Sequence, residues 1–115
     1  MIGGTVERIE AARAETERLI VSLQRQVDGI LAASEWTSND DEHDPEGVTV
    51  AFERAQAQDL LARARSELKA LDAAKLRIAD GTYGVCERCG RAIGEGRLEA
   101  LPAATTCVSC ADRRR

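Results

Sequence analysis

The part of the chain that decides the fold lies near its C-terminus, where residues 83–110 read YGVCERCGRAIGEGRLEALPAATTCVSC. Its four cysteines, Cys86, Cys89, Cys107 and Cys110, have the spacing C-x2-C-x17-C-x2-C. This spacing is typical of a structural zinc site built from two knuckles, in which four thiolates surround one tetrahedral ion at about 2.3 Å. Few apolar residues lie between them, so we expect one structural Zn²⁺ to supply most of the folding free energy, on the order of 10 kcal/mol.

Other uses of paired cysteines fit this sequence less well. A thioredoxin-like redox site needs a βαβ context that the sequence does not show, and a catalytic zinc keeps an open coordination position that four cysteines would fill. Four thiolates also suit an iron–sulfur cluster, so the pattern alone leaves that alternative open. Disulfides are not expected, because the first ten residues carry Glu7, Arg8 and Glu10 where an export signal would be apolar. We therefore expect a cytoplasmic protein.

Two long stretches upstream place their seam residues at the alternating three- and four-residue steps of a coiled coil. The first series is Val6, Ile9, Arg13, Thr16, Ile20, Leu23, Val27 and Ile30. The second series is Val50, Arg54, Ala57, Leu61, Ala64, Leu68, Leu71, Lys75 and Ile78. Each helix would present one narrow stripe, which is too little to stabilise it alone. The sequence therefore predicts an all-α fold, an antiparallel coiled-coil helical hairpin with a small four-cysteine zinc module at its C-terminal end.

The segment between the two series predicts the turn of the hairpin. Residues 35–47 read EWTSNDDEHDPEG, with turn-forming residues and no aliphatic side chain. Asp44 is a suitable N-cap and Pro45 a suitable first residue for the second helix, while Gly81 and Gly84 mark its end. We therefore predict a hairpin domain at residues 1–80 with an acidic tip at 35–47, and a zinc-finger domain at residues 81–115.

Composition excludes several functional classes. The chain has 115 residues, 31% of them charged, and no apolar run long enough to span a membrane. Its formal net charge of -4 disfavours a generic nucleic-acid binder, since such binding depends on neutralising phosphates with Lys and Arg. The sequence shows no combination of nucleophile, base and pocket that would indicate an enzyme. We expect neither direct sequence-specific DNA binding nor catalysis.

Around the cysteines, this sequence resembles the DksA/TraR zinc-finger family in both residue type and position. The positions that agree are residues 83–90, Ile93, residues 97–102 and residues 107–110. The close agreement covers some 30 residues, and the preceding hairpin agrees in architecture. The resemblance implies a bacterial transcription regulator that binds RNA polymerase through its secondary channel and directs an acidic hairpin tip at the active centre. The residues of this tip are Asp40, Asp41, Glu42, Asp44 and Glu46.

The tip departs from the family's motif, Asp-x-x-Asp-x-Ala. A register that starts at Asp44 puts Gly47 at the second Asp and Thr49 at the Ala, and one that starts at Asp41 puts Glu46 at the Ala. We therefore expect this protein to retain polymerase binding, while its effect on initiation is altered or lost. Guanosine tetraphosphate acts with some family members, but no residue here can be assigned to it. The alternative function is a zinc-stapled hairpin that serves as a protein–protein interaction module, with no transcriptional effect at the tip.

Overall fold

The computed structural model describes residues 2–36 and 45–112, with side chains described for residues 4–32 and 47–112. Two long helices, α1 (Ile2–Trp36) and α2 (Pro45–Asp80), precede two short ones, α3 (Glu95–Ala100) and α4 (Val108–Asp112). The described ranges contain no strand, only an isolated antiparallel bridge between Val85 and Ala92. Within the described helices, no stretch combines the length and the apolar character that a bilayer crossing requires. The prediction of an all-α protein is confirmed.

The ends of α2 lie where the turn-forming residues predict them. The helix begins at Pro45 and ends at Asp80. Gly81 has a φ of 83°, a left-handed conformation that glycine adopts without a steric penalty, and the Thr82 N–H donates to the Arg77 carbonyl at 2.9 Å. This bond satisfies a carbonyl that the last helical turn would otherwise leave unpaired.

Most of the predicted acidic tip lies outside the described residues. Helix α1 continues to Trp36 and α2 starts at Pro45, so both ends of the predicted 35–47 turn are helical. The candidate tip residues Asp40, Asp41, Glu42 and Asp44 lie in residues 37–44, which the structure does not describe, and the side chain of Glu46 is not described either. Their role stays a prediction.

The chain divides into two compact units, and the first comprises residues 16–66. Its core consists of residues from both predicted stripes, Leu23, Val27, Ala57, Leu61 and Ala64. The small Ala57 and Ala64 lie among larger residues of the opposite helix, as the stripe pattern predicts. A polar link accompanies this core, because Arg65 Nη2 donates to Gln24 Oε1 at 2.7 Å. In this unit α1 and α2 run antiparallel.

The second unit comprises residues 1–15 and 67–115. Ile9, Leu71 and Ala74 form its helical core and are completely buried. The predicted stripe is wrong at one position, because Ala74 is buried where Lys75 was expected. Lys75 instead forms an ion pair with Glu10, and this contact holds the pKa of the Glu10 carboxyl below its usual value. The predicted domain boundary at residue 80 stays a prediction.

Candidate metal centre

The four cysteines of the C-terminal module converge on one point. Their sulfur atoms all lie within 4.8 Å of one another, and none of the four forms a disulfide. The Cys89 and Cys107 sulfurs are 3.8 Å apart. A tetrahedral ion with four Zn–S bonds of about 2.3 Å requires sulfur–sulfur distances of about 3.8 Å. The cluster therefore fits one zinc ion, and the prediction of a single structural Zn²⁺ agrees with it.

The first knuckle is a tight turn closed by main-chain hydrogen bonds. The Cys86 N–H donates to the Arg91 carbonyl at 2.8 Å, and the Gly90 N–H donates to the Cys86 carbonyl at 2.9 Å. Gly90 has a φ of 75°, which a side chain would make costly. The glycine after the C-x2-C pair thus allows a backbone turn tight enough for Cys86 and Cys89 to face the same ion.

The second knuckle begins the short helix α4. The Ala111 N–H donates to the Cys107 carbonyl at 2.9 Å, so Cys107 and Cys110 lie one helical turn apart on the same face. Cys110 is buried and Cys107 is half-buried. A helical second knuckle is not evident from the spacing alone, because C-x2-C is compatible with a turn or with a helix.

Arg97 holds the chain that leads into the second knuckle. Its Nε donates to the carbonyl of Thr106 at 2.8 Å, and Thr106 is buried directly before Cys107. The Glu87 N–H also donates to the Thr105 carbonyl at 2.9 Å, which ties the first knuckle to the same segment. The local sequence pattern does not identify this use of Arg97, since its partner is a backbone carbonyl nine positions away.

The thiols of the cluster lie in different electrostatic environments. Burial raises the pKa of the Cys86 thiol, but hydrogen bonds from the backbone N–H groups of Cys107, Cys89 and Arg88 outweigh it and lower the pKa to about 6. A backbone hydrogen bond from Cys110 lowers the pKa of Cys107. The hydrogen bond with the Cys107 thiol, together with burial, raises the pKa of Cys110 to about 12. The protein backbone therefore favours some thiolates in advance, and zinc binding would displace the remaining protons.

The module has a small core of its own, which takes in only some of its apolar residues. Ile93 and Leu98 are buried beside Cys86 and Cys110, whereas Val85 and Leu101 are exposed. Tyr83 packs against this cluster and also against the helical core around Leu71, and its hydroxyl donates to the Pro102 carbonyl at 2.8 Å. Burial raises the pKa of the Tyr83 phenol. The zinc module and the adjacent helix ends therefore share one aromatic side chain.

A helical hairpin that ends in a cluster of four cysteines defines a C4-type zinc-finger protein. Residues 81–115 match the model of the prokaryotic dksA/traR C4-type zinc finger. This part of the chain therefore belongs to the DksA/TraR zinc-finger family, as its residues predict. The matching family and the relatives named DksA do not indicate catalysis.

Two curated relatives each match less than half of the chain. The RNA polymerase-binding transcription factor DksA of Caulobacter vibrioides (strain NA1000 / CB15N) is 45% identical over 51 residues, which are 44% of this chain and 36% of that protein. The protein of the same name from Escherichia coli (strain K12) is 40% identical over 48 residues, 42% of this chain and 32% of that protein. The match thus spans about a third of the length of these relatives.

A solved structure extends the likeness to the long helices. The transcription factor DksA2 from Pseudomonas aeruginosa is 28% identical, with a TM-score of 0.56, and the alignment covers 94% of this chain and 83% of that one. The structural likeness therefore covers the two long helices as well as the C-terminal module.

Proposed function

We propose that this protein is a cytoplasmic regulator of transcription that binds bacterial RNA polymerase through the secondary channel. The observation that supports this most is the combination of a DksA/TraR zinc finger at residues 81–115 with a likeness to the DksA2 structure over 94% of the chain. The matching relatives from Caulobacter vibrioides and Escherichia coli are named as RNA polymerase-binding transcription factors. Two long helices joined by an acidic segment are consistent with this mode of binding.

The proposed contact with the active centre involves the acidic tip. Residues 35–47 include six acids and no Lys or Arg. Carboxylates are the ligands that Mg²⁺ prefers, and they also attract the basic surfaces of a nucleic-acid enzyme. We propose that Asp40, Asp41, Glu42, Asp44 and Glu46 act there. In this role the protein alters the polymerase's reaction without catalysing one, and it contacts no specific DNA sequence.

Binding to core polymerase is the first test. Zinc-loaded protein should bind purified bacterial core RNA polymerase with micromolar or tighter affinity, and a known secondary-channel factor should displace it. Fluorescence anisotropy of labelled protein, titrated with polymerase and then with competitor, measures both quantities. No binding at low salt would contradict the proposal, and binding that the competitor leaves unchanged would contradict the channel site.

The tip acids are tested by their effect on transcription. The double variant Asp41→Asn/Asp44→Asn should keep its affinity for polymerase within about threefold, because most of the acidic charge remains, but should change the yield of initiation in a purified system. The control is Glu95→Gln/Glu99→Gln, which removes the same charge from exposed positions of α3. If both variants behave like the unaltered protein in transcription while binding persists, the alternative of an interaction module without tip function is favoured.

A further inference from the structure

A buried side-chain donor in the last turn of α2 has no hydrogen-bond partner. It is Nη2 of Arg77, and among the residues that the structure describes no other buried side-chain nitrogen or oxygen is left unpaired. A guanidinium N–H that is removed from water without an acceptor destabilises the folded protein, because the hydrogen bonds it made to water are not replaced. A bound water or ion that accepts from Nη2 would remove this penalty.

A second guanidinium lies close to the first. Arg8 directly precedes Ile9, and Arg77 directly precedes Ile78. Both isoleucines pack in the core that Tyr83 also contacts. Burial raises the pKa of the Tyr83 phenol, and the charges of Arg8 and Arg77 oppose this rise, which requires both guanidinium groups to be near the phenol. Both arginines are half-buried, so part of each side chain is open to solvent.

Neither of these two arginines has a counter-charge. Three acids of the neighbouring helix turns already have other partners. They are Glu10, which pairs with Lys75, Asp72, which pairs with Arg13, and Asp80, which accepts from Thr82. Arg8 and Arg77 form no ion pair with any carboxylate that the structure describes. We call these two residues the arginine pair.

Two guanidinium groups without a counter-charge suit a doubly charged oxyanion. Each guanidinium presents parallel N–H donors that fit a pair of oxygens on a carboxylate or a phosphate. A carboxylate has two oxygens and one negative charge, which a single arginine satisfies. A phosphate group has three terminal oxygens and a charge of about −1.5 to −2 at neutral pH, which two arginines can share. The arginine pair therefore favours phosphate over carboxylate.

We propose that the arginine pair binds a phosphate group, either inorganic phosphate or that of a phosphomonoester. Both arginines belong to the unit of residues 1–15 and 67–115, so the bound group would join the start of α1 to the end of α2. Nη2 of Arg77 donates to one phosphate oxygen, after a rotation of the half-buried side chain that uncovers this atom, and Arg8 donates to the others. The site uses neither the zinc ligands nor the tip acids, and it does not depend on binding to polymerase.

The first test measures phosphate binding at constant ionic strength, so that salt screens unspecific attraction equally in every sample. Isothermal titration calorimetry of the zinc-loaded full chain with inorganic phosphate and with glycerol 3-phosphate should give a dissociation constant of about 1 mM or lower for at least one of them. Arg8→Gln and Arg77→Gln should each weaken this binding by about tenfold or more, since each removes charge-assisted hydrogen bonds. The control Arg18→Gln removes the same charge from an exposed position of α1 and should change binding by less than about twofold.

A comparison of ligands identifies the source of the phosphate group. Tighter binding of glycerol 3-phosphate assigns the site to a phosphomonoester, and equal or tighter binding of inorganic phosphate assigns it to the free ion; either result supports a phosphate site. Acetate binding as tight as phosphate binding would overturn the proposed ligand. No phosphate binding to the unaltered protein, or equal binding by the arginine-pair variants and Arg18→Gln, would overturn the site.

Folding of the variants is checked by circular dichroism and by zinc content. Should Arg77→Gln fail to fold, Arg8→Gln still tests the site. Arg77→Lys then provides the second comparison, because it keeps the charge and loses the bidentate donor geometry, so it should also weaken phosphate binding.

Discussion

At the scale of single residues, the zinc centre depends on side chains that do not touch the metal. Arg97 donates from Nε to the Thr106 carbonyl at 2.8 Å and so fixes the backbone that precedes Cys107. Backbone N–H groups directed at Cys86 and Cys107 lower the pKa of both thiols. Residues behind the ligands commonly affect metal affinity strongly, because they hold the ligands in the geometry that the ion requires.

Removing the Arg97 contact should therefore weaken zinc retention. We expect Arg97→Ala to lower zinc affinity by about tenfold, since the segment before Cys107 would lose its side-chain tether. The rate of zinc transfer to a chromogenic chelator measures this effect. Arg88→Ala removes the same charge from an exposed position in the first knuckle and should leave the rate nearly unchanged. An equal increase in both variants would show that the charge matters and not the tether, and no increase in either would contradict the role of Arg97.

At the scale of secondary-structure elements, the hairpin is held by a narrow row of buried residues. In residues 16–66 this row includes Leu61, which is 6% exposed, while its neighbour Leu60 is 44% exposed. The two leucines are adjacent on the same helix and have the same intrinsic preferences. Any difference between them in stability therefore measures packing between α1 and α2.

Truncating the buried leucine should lower the free energy of unfolding far more than truncating its exposed neighbour. Leu61→Ala should reduce the free energy of unfolding by about 2–5 kcal/mol, because it removes buried methyl groups and leaves a cavity. Leu60→Ala should change it by less than about 1 kcal/mol. Urea unfolding followed by circular dichroism at 222 nm gives both values. Similar losses for both variants would contradict the packing of α1 on α2 described for this unit.

At the scale of the whole molecule, apolar packing connects the C-terminal module to the helix ends of the same unit. Tyr83 packs against the cysteine cluster and against the core of Ile9, Leu71 and Ala74, and Ala103 also contacts that core. Residues 16–66 have a core of their own, which is formed by residues of α1 and α2. Loss of the metal should therefore affect the two units to different degrees.

Zinc removal should increase amide hydrogen exchange more in some segments of the chain than in others. On chelation, we expect rapid hydrogen exchange throughout residues 81–112 and increased exchange in residues 67–80 and 4–15, because the module has too few apolar contacts to fold without the metal. Residues 16–66 should keep more of their protection. Hydrogen-exchange mass spectrometry measures all segments in one experiment, and Cys89→Ser/Cys107→Ser should reproduce the pattern without a chelator. Uniform loss of protection along the whole chain would contradict the division into two cores.

The zinc-module pattern, the two long helices and the ends of α2 can all be predicted from the amino-acid sequence. Each depends on short-range spacing: C-x2-C pairs that turn the chain, steps of three and four that place residues on one helical face, and Pro45 and Gly81 at the helix ends. These features are predictable because they involve residues close together in the chain, whose relative positions follow from backbone geometry.

Other features required the tertiary structure. Three of them depend on how segments distant in the chain meet. They are the burial of Ala74 in place of Lys75, the packing of Tyr83 against two clusters, and the hydrogen bond between Arg97 and Thr106. The exposure of Phe52 is of the same kind, since a phenylalanine in an amphipathic helix could equally pack inward. By itself, the sequence determined which elements form and which four cysteines make up the candidate metal centre. The tertiary structure decided which faces are buried, because burial depends on the register between helices and local spacing does not specify that register.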